Sequence, residues 1–117
     1  MAGKFTVWHN PGCGSSKNAV AYLEEKGVTP EIYLYLKEKP GKKEIETVLK
    51  KLGLKPSGLL RPGEKLAEEL GLYGEGRDEA KILDAMTTHA KLIQRPVVIT
   101  DKGAVIARPK TKIDDLL

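Results

Sequence analysis

At 117 residues the chain has the length of a single domain with a modest core, and at 40% apolar and 31% charged it has a soluble globular composition. The net charge is +4, but lysines interleave with glutamates, as in Lys37-Glu38-Lys39 and Lys42-Lys43-Glu44. That pattern describes solvated helix faces and argues against a nucleic-acid groove, while the absence of any long apolar run argues against a membrane span.

A β-prone run, Phe5-Thr6-Val7-Trp8, opens the ordered pattern and predicts a first strand. It leads into His9-Asn10-Pro11-Gly12-Cys13-Gly14-Ser15-Ser16-Lys17-Asn18, which holds the one cysteine of the chain. Ala19, Tyr22 and Leu23 then carry a helical spacing, so the local reading is strand, tight loop, helix. Cys13 falls at the end of the loop, beside the first unpaired N–H groups of the helix, where negative charge and hence a thiolate is favoured.

Gly27 and Thr29-Pro30 stop this helix. Residues 31–36, Glu-Ile-Tyr-Leu-Tyr-Leu, read as a buried second strand parallel to the first, followed by a charged loop to Gly41. Ile45, Val48, Leu49 and Leu52 recur at i, i+3, i+4 and i+7, an amphipathic helix that Gly53 ends. A short turn over 56–60 delivers Arg61. Leu66, Ala67 and Leu70 suggest another helix, and Asp78 is the expected N-cap of one carrying Ile82, Leu83 and Met86. Val97 to Thr100 and Ala104 to Ala107 then form an expected hairpin, and a short helix over 111–117 closes the chain.

The loop from His9 to Asn18 resembles the active-site loop of the glutaredoxin-linked arsenate reductases, a branch of the thioredoxin-like superfamily. Leu59-Leu60-Arg61, Leu92-Ile93-Gln94-Arg95-Pro96-Val97-Val98 and Arg108-Pro109 follow that family's pattern in the same order. Gly12 and Lys17 are small departures, where many members have alanine and arginine. The resemblance implies a single thioredoxin-like α/β domain over 1–117, with a mixed sheet, flanking helices and a helical insert between the βαβ unit and the C-terminal hairpin. It implies Cys13 as nucleophile and Arg61, Arg95 and Arg108 as ligands of the oxyanion. It also implies a cis bond before Pro96.

These roles make chemical sense. An ordinary thiol of pKa ~8.5 is only about 3% ionised at pH 7. Lowering that pKa by about two units takes ~2.7 kcal/mol, against ~0.3–1 kcal/mol from one exposed helix terminus. Nearby arginines would have to supply the rest, and their planar forks suit a tetrahedral oxyanion. His9 is either a general acid or electrostatic partner of the thiolate, or a strand-end histidine tied to backbone. Ser16 is either a hydroxyl donor to the thiolate or a helix cap.

The expected activity is reduction of arsenate to arsenite, with no metal and no tightly bound cofactor. One cysteine leaves no internal disulfide to resolve the product, so the resemblance implies glutathione as co-substrate and glutaredoxin as partner in a reducing cytoplasm. Two rival readings belong to the same fold. A monothiol oxidoreductase would need Cys13 without the three arginines. A thiol-stress regulator that binds RNA polymerase would carry a Cys-x-x-Cys switch, where this chain reads Cys13-Gly14-Ser15-Ser16.

Overall fold

The computed structural model describes residues 4–74 and 76–117. Two compact units make up the chain, Met1–Glu38 with Arg95–Leu117, and Lys39–Gln94.

The first unit holds the sheet. Strand β1 (Thr6–Trp8) leads to helix α1 (Gly14–Glu25), strand β2 (Glu31–Tyr33) and a single helical turn, α2 (Tyr35–Glu38). The chain re-enters this unit with β3 (Val97–Thr100) and β4 (Gly103–Ile106) and closes with a 3-10 helix, Lys110–Leu116. The strands lie in the order β2-β1-β3-β4. β1 pairs parallel with β2, as a helical crossover allows, and antiparallel with β3, while β3 and β4 form the expected hairpin. Phe5, Val7, Ala19, Leu23, Val98, Ala107, Ile113 and Leu116 pack together, so α1 and the terminal 3-10 helix share one core against the sheet.

The second strand departs from its expected form. It ends at Tyr33, and Tyr35–Glu38 turn helical where residues 31–36 read as one buried strand. β2 lies at the sheet edge, so its Ile32 is 42% exposed. A short apolar run carries no period that separates strand from helical turn. Tyr35, fully buried, instead stacks on Trp8 with ring centroids 6.3 Å apart. The closing segment is helical where expected, but as 3-10 rather than α-helix.

The second unit is helical: α3 (Lys42–Leu52), α4 (Pro56–Leu59), α5 (Lys65–Glu69), α6 (Glu79–Thr88) and a 3-10 turn, Ala90–Leu92. Ile45, Val48 and Leu49 bury the predicted face of α3, and Gly53 stops it in the left-handed region at φ 70°. That conformation suits glycine, and it lets Leu54 N–H return to Leu49 C=O at 3.2 Å. Asp78 caps α6 as expected, its Oδ1 accepting the Ala80 N–H at 2.9 Å. Leu60 bridges Ile93, which brackets the segment that carries Arg61. Among the described residues, no helix is long and apolar enough to cross a membrane.

Candidate active site

The loop after β1 is folded by its own side chains. Asn10 Oδ1 accepts the Gly12 N–H at 2.9 Å, and Asn10 C=O accepts the Cys13 N–H at 2.9 Å. This side-chain mimic of a turn is what asparagine supplies in a short loop. A Cβ at Gly12 would stand 3.4 Å from Asn10 Oδ1, ordinary contact that admits the alanine common in the resembled loop.

Two further contacts fasten the loop. His9 N–H donates to Tyr33 C=O at 2.9 Å, joining the loop's start to β2. Its Nδ1 meets Ser16 Oγ at 2.6 Å, and that oxygen also accepts the Asn10 N–H at 2.9 Å. Ser16 is fully buried. Burial, followed by the nearby Lys17 cation, lowers the His9 pKa and favours a neutral imidazole.

Cys13 is the N-cap of α1, with extended backbone at φ −111° and ψ 124°. Its C=O accepts the Lys17 N–H at 3.0 Å, so the helix starts on this residue. The residue is 9% exposed. Burial pushes the thiol's pKa up, but the Ser16 N–H, the Arg95 guanidinium and the Ser15 N–H act in the opposite direction and outweigh it. The thiol therefore ionises below its ordinary range. Ser16 thus turns its backbone to the sulfur and its hydroxyl to His9 and Asn10.

The hairpin aligns two arginines. Val97 pairs with Ile106, and Ala107 N–H continues the ladder to Pro96 C=O at 2.9 Å. One residue further along each strand come Arg95 and Arg108. Both peptide bonds that follow them, Arg95-Pro96 and Arg108-Pro109, are cis. Arg95 is half-buried and reaches Cys13, while Arg108 is exposed and lines a cleft with Ser15, Asn18 and Lys110.

Arg61 belongs to the helical unit. Its N–H donates to Leu92 C=O at 2.8 Å, and Pro62-Gly63 then turn the chain with Gly63 at φ 76°. Proline followed by a left-handed glycine is the pattern of a type II turn, and it brings residues 61 and 64 together. Arg61 Nη1 accordingly donates to Glu64 Oε1 at 2.6 Å. Tyr73 clamps the same turn, its hydroxyl donating to Arg61 C=O and accepting the Glu64 N–H. Neither partner emerged from the sequence. A Pro-Gly turn with glutamate at its end was a readable signal for Glu64, but nothing in the spacing pointed to Tyr73. Among the described residues, no cluster of three or more histidine, cysteine, aspartate or glutamate side chains is placed to hold a metal ion.

The model of the ArsC family matches residues 8–116. An arsenate reductase of Rhizobium meliloti is 36% identical over 112 residues, covering 96% of this chain and 80% of that protein. One from Neisseria meningitidis is 35% identical, covering 95% of this chain and 96% of its own length. The structure of an arsenate reductase from Vibrio cholerae superposes with a TM-score of 0.93 at 31% identity, covering 100% of both chains.

Proposed function

The chain belongs to the ArsC family, with the thioredoxin-like fold of its solved relatives, and we propose that it is an arsenate reductase whose nucleophile is Cys13. The observation that carries this reading is the seat of Cys13 at the N-terminus of α1, with the Ser15 and Ser16 N–H groups and the Arg95 guanidinium favouring its thiolate. Helix terminus and arginine both shift the thiol towards its ionised, nucleophilic form.

Arsenate is an anion, and a thiolate repels it. Arg95 offsets that repulsion at the sulfur, and Arg108 and Arg61 are the further ligands of the oxyanion in this reading. A guanidinium stays charged at every working pH and donates two parallel hydrogen bonds to a tetrahedral anion. The same donors stabilise charge that develops as the oxygen leaves.

The reaction then runs in three stages. Cys13 Sγ bonds to arsenic(V), and one arsenate oxygen departs as water. Glutathione's thiolate then displaces a second oxygen from this adduct, which also departs as water, and forms an arsenic–sulfur bond. A glutaredoxin thiol then attacks the glutathione sulfur, and the electron pair of the arsenic–sulfur bond stays on arsenic, which becomes arsenic(III). Hydrolysis of the remaining bond to Cys13 releases arsenite and restores the thiol. Two external thiols are oxidised to one mixed disulfide as one arsenate loses one oxygen, so electrons and atoms balance. Glutathione and glutaredoxin are both parts of the proposal, and no bound cofactor is required by it.

The test is arsenite formation by the purified protein given arsenate, glutathione and glutaredoxin, with each omitted in turn. Turnover that requires all three supports the whole cycle. Loss of turnover only when arsenate or glutathione is omitted would retain the reductase and remove glutaredoxin.

A further inference from the structure

We infer that Glu64 and Tyr73 are positioning residues for Arg61, together fixing the direction in which its guanidinium meets an oxyanion. The inference rests on the reading of Arg61 as an oxyanion ligand and adds two residues to that site.

The geometry is specific. The Glu64 side chain is only 17% exposed and the Arg61 side chain 32%, so their 2.6 Å contact is more than a solvated surface pair. Among the described residues, Glu64 is the one side-chain partner of the Arg61 guanidinium. It occupies Nη1 and leaves the Nε–Nη2 edge for a second anion. Arginine's planar fork permits this division, since two edges of one guanidinium serve two oxyanions. A long, flexible side chain loses much rotamer freedom on binding, and fixing it beforehand reduces that cost.

Tyr73 acts on the backbone beneath. Its hydroxyl donates to Arg61 C=O and accepts the Glu64 N–H at 3.1 Å, so one phenol holds both ends of the Pro62-Gly63 turn. The carboxylate sets the guanidinium, and the phenol sets the turn that brings the carboxylate to it. Glu64 also places a negative charge beside an anion site. A residue selected only to attract arsenate would not be acidic, which is why orientation is the better account of its presence.

The experiment measures arsenate reduction with Arg61→Ala, Glu64→Ala, Glu64→Gln and Tyr73→Phe, each checked for folding by thermal unfolding. Glu64→Ala is expected to raise the KM for arsenate about tenfold, the scale of one lost charge-assisted hydrogen bond. The KM for glutathione and the pH profile of Cys13 alkylation should not move, which a general loosening of the fold would not spare. Glu64→Gln keeps an acceptor for Nη1 and should recover more than half of the loss on a logarithmic scale. Tyr73→Phe, which deletes only the bridging hydroxyl, should raise the arsenate KM about two- to threefold, and it remains the readout if Glu64→Ala fails to fold. An unchanged or lowered arsenate KM in Glu64→Ala, with a raised one in Arg61→Ala, would overturn the positioning role and leave Arg61 as a ligand. No recovery in Glu64→Gln would also overturn it. An unchanged KM in Arg61→Ala would overturn both the inference and the reading it rests on.

Discussion

His9 and Ser16 meet across the loop that carries Cys13, Nδ1 to Oγ at 2.6 Å. One residue ends β1 and the other lies in the first turn of α1, so the contact closes the loop from both sides. Ser16 Oγ already accepts the Asn10 N–H, so with His9 neutral and protonated on Nε2 its own hydroxyl donates to Nδ1. Protonating His9 removes that acceptor. The pKa of His9 lies below the ordinary 6.5 because burial, and then Lys17, disfavours the cation. The folded state then binds fewer protons than the unfolded chain, so its stability falls as pH drops from 6.5 through the folded midpoint. An NMR titration of the imidazole should show the lowered midpoint, and one at or above 6.5 would refute the arrangement.

Ser16→Ala removes the oxygen that both partners share. The Asn10 N–H then loses its acceptor in a part-buried site, at a cost of about 1–2 kcal/mol in urea unfolding. A loss below a few tenths would mean that water replaces the hydroxyl.

Arg95 is the cation that the pKa of Cys13 depends on. Iodoacetamide alkylation followed against pH should give a midpoint below the ordinary thiol value of ~8.5. Because that pKa is depressed, reactivity persists to lower pH than for an ordinary thiol and is lost as pH falls through the folded midpoint. Arg95→Ala should move the midpoint up, while Arg95→Lys, which keeps the charge without the fork, should move it less. Equal midpoints in all three proteins would leave the helix N-terminus as the sole cause.

The legibility of this chain follows the range of its interactions. Cys13, the α1 start, the Gly53 stop and the Asp78 cap each depend on neighbours within a few residues, so each could be read directly. The hairpin was readable for the same reason, but not the register that sets Arg95 opposite Arg108. The end of β2 was not. Whether Tyr35 continues a strand or turns to stack on Trp8 is decided by a residue far away in the chain. Tyr73 on Arg61 is another contact across intervening structure, with no periodic signal to announce it.

Asp78 offers a check on the helical unit by itself. Its Oδ1 accepts from Ala80 N at 2.9 Å and faces Lys81 N at 3.4 Å, satisfying N–H groups that α6 leaves unpaired. Asp78→Ala should cost about 1 kcal/mol, and Asp78→Asn, another good N-cap, should cost much less. Denaturant midpoints that rank the two variants the other way would show that charge, rather than the cap bond, matters here.

Cys13→Ser separates function from stability. Loss of the sulfur nucleophile should reduce arsenite formation to the background rate, and retained turnover would eliminate the covalent mechanism. The fold should not suffer, because serine is among the favoured N-cap residues and its oxygen is a stronger acceptor than a thiol. The comparison depends on pH in a direction fixed by the depressed thiol pKa. Above the unfolded pKa of ~8.5 the wild type has the full stabilisation of its thiolate, and it loses that as pH falls through the folded midpoint. Well below that midpoint only a neutral thiol remains at the head of α1, and Cys13→Ser should be more stable by about 1 kcal/mol. Above the unfolded pKa the gap should narrow or reverse. Urea unfolding of both proteins at the two pH values measures it, and a gap that does not change with pH would show that α1 does not stabilise the thiolate.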